Sequence, residues 1–352
     1  MRILHVDPER GWGGGEVQVL ALARALRARG HDVRLAVDPA GRLAAAAANA
    51  GLPTAVLRVR NPLDALAGLR LRRLARHADV VHFHTARAHA LAPFVGGGPP
   101  WRVVTRRMDY VPVGGPYARF LYNRAVDVVI AISEGVRAAL LSAGVEPGRI
   151  RVVPSGLDPE ALAPPPGARE TLRTAWGVPP EAVLVLALGA LERRKGHAVL
   201  LAAAAHAPGL HYVVCGDGSE RDALGRAAAS LGSAVRFVGF RTDVAACLAA
   251  ADVVALPSLH EGLGVAALEA MAAGRPVVAS RVGGLAEVVV DEVTGLLVPP
   301  GDAAALGRAL ARLGADPGLR ARLGAAGRAR VLARYTVTQM AEGTLACYER
   351  AR

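Results

Sequence analysis

The feature that most constrains this chain is an alternation that runs twice along it: short apolar runs of strand length, separated by longer stretches whose apolar residues recur at helical spacing. A parallel strand reaches its neighbour only through a long crossover, usually a helix, so this pattern predicts parallel sheets covered by helices on both faces. In the first half the expected strands are 2–6, 32–37, 80–83, 102–105, 126–131 and 150–153. The pattern breaks at ALAPPPGARE, where Pro164, Pro165, Pro166 and Gly167 can continue neither a helix nor a central strand. It then restarts with strands expected at 183–188, 212–215, 235–238, 253–256, 277–279 and 295–298. The prediction is an α/β chain of two facing doubly wound, Rossmann-like domains, 1–163 and 168–335, with a proline-rich linker at 164–167. A C-terminal helix within 336–352 is expected to pack back on the N-terminal domain. Open parallel sheets bind ligands outside the carboxyl ends of their strands, so a cleft between the two domains is the expected place for chemistry.

Composition removes several classes. With 52% hydrophobic residues over 352 positions the chain can bury a large core, which excludes disordered and fibrous structure. No apolar run approaches the roughly 18 residues of a spanning helix, and the chain opens on the strand-like RILHV; a cytoplasmic protein is expected. Cys215, Cys247 and Cys347 are widely spaced, without CxxC, and read as reduced, buried thiols rather than disulfides or metal ligands. The net charge of +12 is uneven: 22 basic and 13 acidic residues precede residue 163, against 20 and 17 after it. An anionic partner for the N-terminal half is therefore expected. The densest basic run, GLRLRRLARH at 68–77, reads either as a peripheral contact with anionic membrane or as the solvated face of an ordinary helix. Nucleic acid fits poorly, because aromatic residues total only 4% and offer no stacking platform.

Three loops after expected strands carry the chemistry. RGWGGGE has four glycines within five residues ahead of a helix, so backbone amides near Gly14 and Gly15 are open to close approach by phosphate. A tight turn with positive φ would account for one or two of these glycines, less readily for three in succession. In LPSLHEGLGVAALEAMAAGRPVVAS, Glu261 and Glu269 bracket a helix start near Gly264, with the amides of Gly262 to Val265 between them. Two carboxylates can each accept hydroxyl hydrogen bonds while the helix start takes anionic charge, the layout of a nucleotide sugar. The third loop, GALERRKGH, holds Lys195, the one lysine in a chain with 41 arginines.

These elements together resemble glycosyltransferase family 4, retaining enzymes of the GT-B fold: Glu261-x7-Glu269 with GRPVVASRVGGLAEVV and GLLVPPGD after it, WGGGE at 12–16, VVHFH at 80–84, ISEGVR at 132–137, VVPSGLD at 152–158, the KG of Lys195 and Gly196, and GDGSER at 216–221. The TRR of Thr105 to Arg107 is similar to members that build lipopolysaccharide and other envelope glycans. The resemblance implies a metal-independent transferase, without cofactor, that moves a sugar from a nucleoside-diphosphate donor to a hydroxyl of a glycan or lipid-linked acceptor. It implies that Lys195 faces the donor diphosphate, Glu269 the ribose, Glu261 the transferred sugar, and Gly216 and Gly218 the base or ribose. It selects His84 over His82 as the histidine near the reacting carbon, where an imidazole could hydrogen-bond hydroxyls or shift protons near physiological pH. Arg106, Arg107 and Asp109 would shape the acceptor side. One departure is Ala190, where family members commonly carry an arginine in a GRL version of the loop. Competing readings are a nucleotide-sugar epimerase or a phosphorylase on the same fold, or a binding protein with degraded catalysis.

Overall fold

The computed structural model describes residues 1–61, 64–96, 99–112 and 115–349. The chain folds as two compact units, residues 1–157 with 337–352, and residues 158–336.

The first unit is built on a seven-stranded sheet: β1 (Arg2–Asp7), β2 (Asp32–Val37), β3 (Thr54–Val56), β4 (Val80–Phe83), β5 (Trp101–Arg106), β6 (Val128–Ala131) and β7 (Ile150–Val152). Its order is β3-β2-β1-β4-β5-β6-β7, and every neighbouring pair is parallel. Central strands such as β4 and β6 are buried at every position, as a sheet covered on both faces requires. Helix Gly14–Ala28 shows why these segments settle on the sheet: Gln18, Val19, Leu22, Ala23 and Leu26 form its buried stripe at helical spacing. The core joins Ile3, Leu35, Val80 and Val103 of the sheet to Met340, Cys347 and Tyr348 of the last helix, Val337–Tyr348.

The second unit has six parallel strands: β8 (Leu184–Leu188), β9 (His211–Cys215), β10 (Val235–Gly239), β11 (Val253–Leu256), β12 (Val277–Ser280) and β13 (Gly295–Val298). The order is β10-β9-β8-β11-β12-β13. Both sheets therefore reverse direction next to their first strand, between β1 and β4 and between β8 and β11. Those two positions are topological switch points, where helices leave to opposite faces and the carboxyl edge opens.

Beyond one-residue shifts at several strand ends, three details differ from the sequence reading. The short strand β3 was not expected; with three residues and only partial burial it carries almost no periodic signal. The sixth strand starts at Val128, not at residue 126. The proline-rich stretch 164–167 lies inside the second unit rather than between units, since the division falls after Leu157. Helix Ala168–Ala175, which follows it, is tied down by Asp252: that carboxylate accepts from Arg169 Nη2 at 2.7 Å, from Arg173 Nη1 at 3.1 Å and from the Leu184 amide at 2.8 Å. The prolines thus feed a helix already anchored in this unit. At the C-terminus the helix ends at Tyr348, and residues 350–352 of the expected 336–352 segment lie outside the described residues.

Candidate functional site

In the second unit the loops after β8, β9 and β11 interlock at the switch point. The Gly189 amide donates to the Cys215 carbonyl at 3.1 Å, and the Leu191 amide to the Asp217 carbonyl at 2.9 Å. Lys195 and Glu261, 66 residues apart, meet across β8 and β11: Lys195 Nζ lies 2.5 Å from Glu261 Oε2, with the side chains 17% and 12% exposed. Ser258 Oγ donates to the same oxygen at 3.1 Å. Gly196 is what lets the lysine loop sit here. Its φ is 67°, and a Cβ at that position would fall 1.9 Å from the Pro257 carbonyl oxygen, so only glycine fits against the β11 loop.

Helix Val265–Ala272 starts at Gly264, whose φ is 90°. A Cβ there would meet Leu285 Cδ2 at 2.5 Å. Gly262 is buried, Val265 is half-buried, and Glu269 stands four residues beyond Val265, about 6 Å along the axis. Burial raises the Glu269 carboxyl to about 7. Gly216 and Gly218 follow β9 and lie against the Gly189–Leu191 backbone, close enough that Cβ atoms would fall 1.9 Å from the Gly189 oxygen and 2.5 Å from the Leu191 oxygen. At Ala190 only the backbone is engaged, its carbonyl 3.2 Å from His197 Nε2. The nearby Arg194 is held by Glu192 at 2.7 Å.

In the first unit the glycine loop follows β1 and His84 follows β4, on the two sides of its own switch point. Gly13 is extended at φ −151° and caps a helix that begins at Gly14, so the glycines do not serve a positive-φ turn. A Cβ on Gly13 or Gly15 would find no atom closer than 3.4 Å or 3.8 Å. Neither strain nor internal packing demands glycine at Gly13 or Gly15. The Gly13 amide donates to Glu16 Oε2 at 2.7 Å.

His84 is 3% exposed and lies in a histidine network that the sequence did not suggest. Its Nε2 is 2.8 Å from His5 Nδ1 on β1, and its ring centroid is 4.0 Å from that of His82. Burial first, then the neighbouring His82, His5 and Arg107, hold His84 well below its ordinary value; burial takes His5 to about 3. Burial at this position favours the neutral imidazole of His84. Two neutral imidazoles sharing one hydrogen bond leave one donor and one acceptor over, on His5 Nε2 and His84 Nδ1, and both atoms are buried without a protein partner. His82 plays another part. Its nitrogens meet the Tyr348 and Thr105 hydroxyls, each at 2.6 Å, so it fastens the last helix to the sheet. The nitrogens of His5, His82 and His84 lie within 4.8 Å of one another, but with the hydroxyl partners on His82 and the shared bond on the other two they form a hydrogen-bond network.

Arg107 donates to Ser155 at 3.2 Å, and burial lowers it to about 10 against the opposing pull of Asp7 and Glu16. Asp7, at the end of β1, is 1% exposed and is raised to about 7 by burial and by the charge of Glu16. Arg106 turns the other way: its Nη2 donates to the Tyr110 carbonyl at 3.1 Å and its guanidinium carbon lies 5.0 Å from the Tyr110 ring centroid. Asp109 is half-buried two residues beyond Arg107. His5 and Asp7 escaped the sequence reading because RILHVD scans simply as a buried strand. Ser258 was visible within LPSLHEG, one turn before Glu261.

Known proteins resemble this chain in sequence and fold. The family model described as Glycosyltransferase Family 4 matches residues 12–161, and the one described as Glycosyl transferases group 1 matches residues 168–330. The D-inositol 3-phosphate glycosyltransferase of Mycobacterium tuberculosis is 33% identical over 274 residues, 74% of this chain and 54% of that protein. The chain thus spans about half the length of the curated relatives it matches. The crystal structure of Anabaena Alr3699/HepE in complex with UDP-glucose superposes with a TM-score of 0.91 at 26% identity, covering 99% of this chain and 100% of that one. A glycosyltransferase from Rickettsia africae shares the fold at a TM-score of 0.89 and 20% identity, over 99% and 98% of the two chains. Both units are matched, the Glu-x7-Glu element and the lysine meet at one switch point and the glycine loop and histidine flank the other; the chain belongs to glycosyltransferase family 4.

Proposed function

We propose that this chain is a metal-independent, retaining glycosyltransferase that moves a sugar from a nucleoside-diphosphate donor to a hydroxyl acceptor. The observation that carries the reading is the Lys195–Glu261 pair beside the Gly264 helix start. Departure of a nucleoside diphosphate leaves negative charge on its phosphates and an oxocarbenium-like sugar, so catalysis needs cationic and N–H groups preorganised at the phosphates. The ammonium of Lys195 has three donors; one is held by Glu261, and the others remain for phosphate oxygens. The amides of Gly264 and Val265 add the positive end of the helix, and the glycine loop at Gly14 and Gly15 would admit phosphate without side-chain obstruction. Glu261 would also accept sugar hydroxyls and Glu269 ribose hydroxyls, with Gly216, Gly218 and Gly262 lining the donor. His84, backed by His5, serves as a hydrogen-bond partner for the sugar. The leaving phosphate itself takes the acceptor proton, which retains configuration without a protein nucleophile.

A uridine diphosphate donor is favoured by the UDP-glucose held by HepE. The acceptor is assigned to the first unit, with Arg107 beside the glycine loop and Arg106 and Asp109 near it in sequence, and its envelope character rests on the Thr105–Arg107 resemblance. Among the described residues no helix is long and apolar enough to cross a membrane. Peripheral attachment from the cytoplasmic side is proposed through helix Ala65–Ala75, where Leu66 and Leu69 are 74% and 51% exposed beside Arg70, Arg72 and Arg73.

The test is calorimetric binding of a panel of ADP-, UDP-, GDP- and dTDP-sugars to the wild type and to Glu269→Ala. Selective binding of one base, weakened at least tenfold in the variant, is expected. Equal affinity of both proteins would remove Glu269 from the donor site, and silence across the whole panel would sink the transferase reading.

A further inference from the structure

A cavity of about 730 Å³ opens in the first unit, lined by Glu9, Arg10, Arg58, Arg60 and Arg87 together with Gly11, Ala40 and Val59. Its walls are the segments that follow β1, β2, β3 and β4, four adjacent strands of one sheet, so it sits on the carboxyl edge beside the glycine loop and the His84 turn. The volume suits a small polar ligand.

The charge is organised rather than scattered. Asp38, 3% exposed at its side chain, accepts from Arg10 Nε at 3.0 Å and from the Ala40 amide at 2.9 Å. Burial pushes this carboxyl up, but those bonds outweigh it and hold it below its ordinary range, so it stays ionised and fixes Arg10. Arg87 Nη1 lies 3.6 Å from Glu9 Oε2 across the β1/β4 switch point. Glu9, which lines the cavity, and Asp38 behind it are thus each paired with an arginine; Arg58 also lies in the field of Asp38, and Arg60 in that of Asp64, whose Oδ2 accepts from the Arg60 amide at 3.0 Å. Among the described residues no carboxylate lies within ion-pair distance of the guanidinium groups of Arg58 or Arg60, both exposed on the segment after β3. Two planar forks on one short segment thus make no direct ion pair among the described residues, and a doubly charged oxyanion such as phosphate is a group whose geometry and charge they match.

We infer that this cavity binds the phosphate group of a phosphorylated acceptor, with Arg58 and Arg60 as its direct contacts and Arg10 and Arg87 as positioned walls. That the ligand is an acceptor rests on the transferase reading above; that it carries phosphate does not. A phosphate site here also gives the positive excess of the N-terminal half a defined place, distinct from the basic helix at 65–75. A phosphate there would hold the acceptor by a group remote from the reacting hydroxyl and so orient it, the common use of non-reacting binding energy.

The experiment titrates the full chain, with and without UDP, against glucose 6-phosphate and glycerol 3-phosphate, against glucose and glycerol, and against a water-soluble short-chain phosphatidic acid. It repeats each titration on Arg58→Ser/Arg60→Ser. The expected result is a phosphorylated ligand bound at least tenfold more tightly than its uncharged parent, an affinity that falls as salt is raised, and a loss of at least tenfold in the double variant. Retention of UDP binding and of the melting midpoint shows that the variant is folded. Response to the soluble phosphates identifies a free sugar or polyol phosphate as the source; response to the short-chain lipid alone identifies a lipid-borne phosphate. Equal binding of every phosphorylated probe to wild type and variant, or no preference over the uncharged parents, overturns the inference. Phosphate binding together with silence across the whole donor panel would leave the cavity standing and remove the transferase reading instead.

Discussion

Glu269 and Lys195 lie at the β8/β11 switch point in different surroundings. Glu269 has no ionic partner among the described residues, and burial raises its carboxyl from 4.5 to about 7. The consequence for stability has a definite sign. Below pH 4 the folded and unfolded states both hold the proton. Between about 4.5 and 7 the unfolded chain releases it while the folded one does not, so the stability linked to this group is lost as pH rises and is gone above 7. Taken as order of magnitude, the shift is worth roughly 3 kcal/mol. Glu269→Gln should therefore melt near the wild type at pH 4 and clearly above it at pH 8 without ligand; parallel melting curves at both values would contradict the buried, unpaired carboxyl. For Lys195→Ala we expect turnover of the donor that binds to fall about 100-fold with the fold intact, the scale of one preorganised charge stabiliser. Lys195→Arg should not restore it, because the wider guanidinium must share the same space with Glu261 and Ser258. A variant of undiminished turnover would end the role given to this lysine.

At the scale of elements, Asp252 is the point that ties helix Ala168–Ala175 to the sheet. Arg173 is 4% exposed at its side chain, so removing its carboxylate strands a buried cation. Asp252→Ala is expected to destabilise the chain by about 3–5 kcal/mol, read from denaturant unfolding, whereas an effect below about 1 kcal/mol would mean that the carbonyls around Arg173 suffice. How legible such elements were in the sequence depends on how much each relied on its own residues. Twelve strands were visible because a fully buried parallel strand is a continuous apolar run, as in VVHF and VVAL. β3 was not, since its three residues are paired only along β2 and leave no periodic trace. The Lys195, Glu261 and Glu269 loops could be read because they carry rare residue types or fixed spacing. The His5–His84 bond and the Arg58–Arg60 segment could not, because each acquires meaning only when β4 or β2 brings a distant partner alongside. The proline-rich stretch misled for the opposite reason: its local stiffness is real, but the Asp252 clamp that places it in the second unit comes from residues some 80 positions away.

For the whole molecule, the sequence order of the two units is not their structural order. The first unit takes in residues 1–157 and 337–352, and the second lies between them. Its last helix contributes Met340, Cys347 and the fully buried Tyr348 to the core, supplies the hydroxyl that His82 needs, and accepts the Trp101 indole N–H at the Cys347 carbonyl, 3.1 Å away. During synthesis, then, a ribosome releases all seven strands of the first sheet long before the helix that covers them. The second unit, continuous in sequence, can close its core while the first still exposes the apolar face around Val103 and Val153. The core of the first unit thus needs two segments separated by some 180 residues of the second, and it cannot be completed until both have been made.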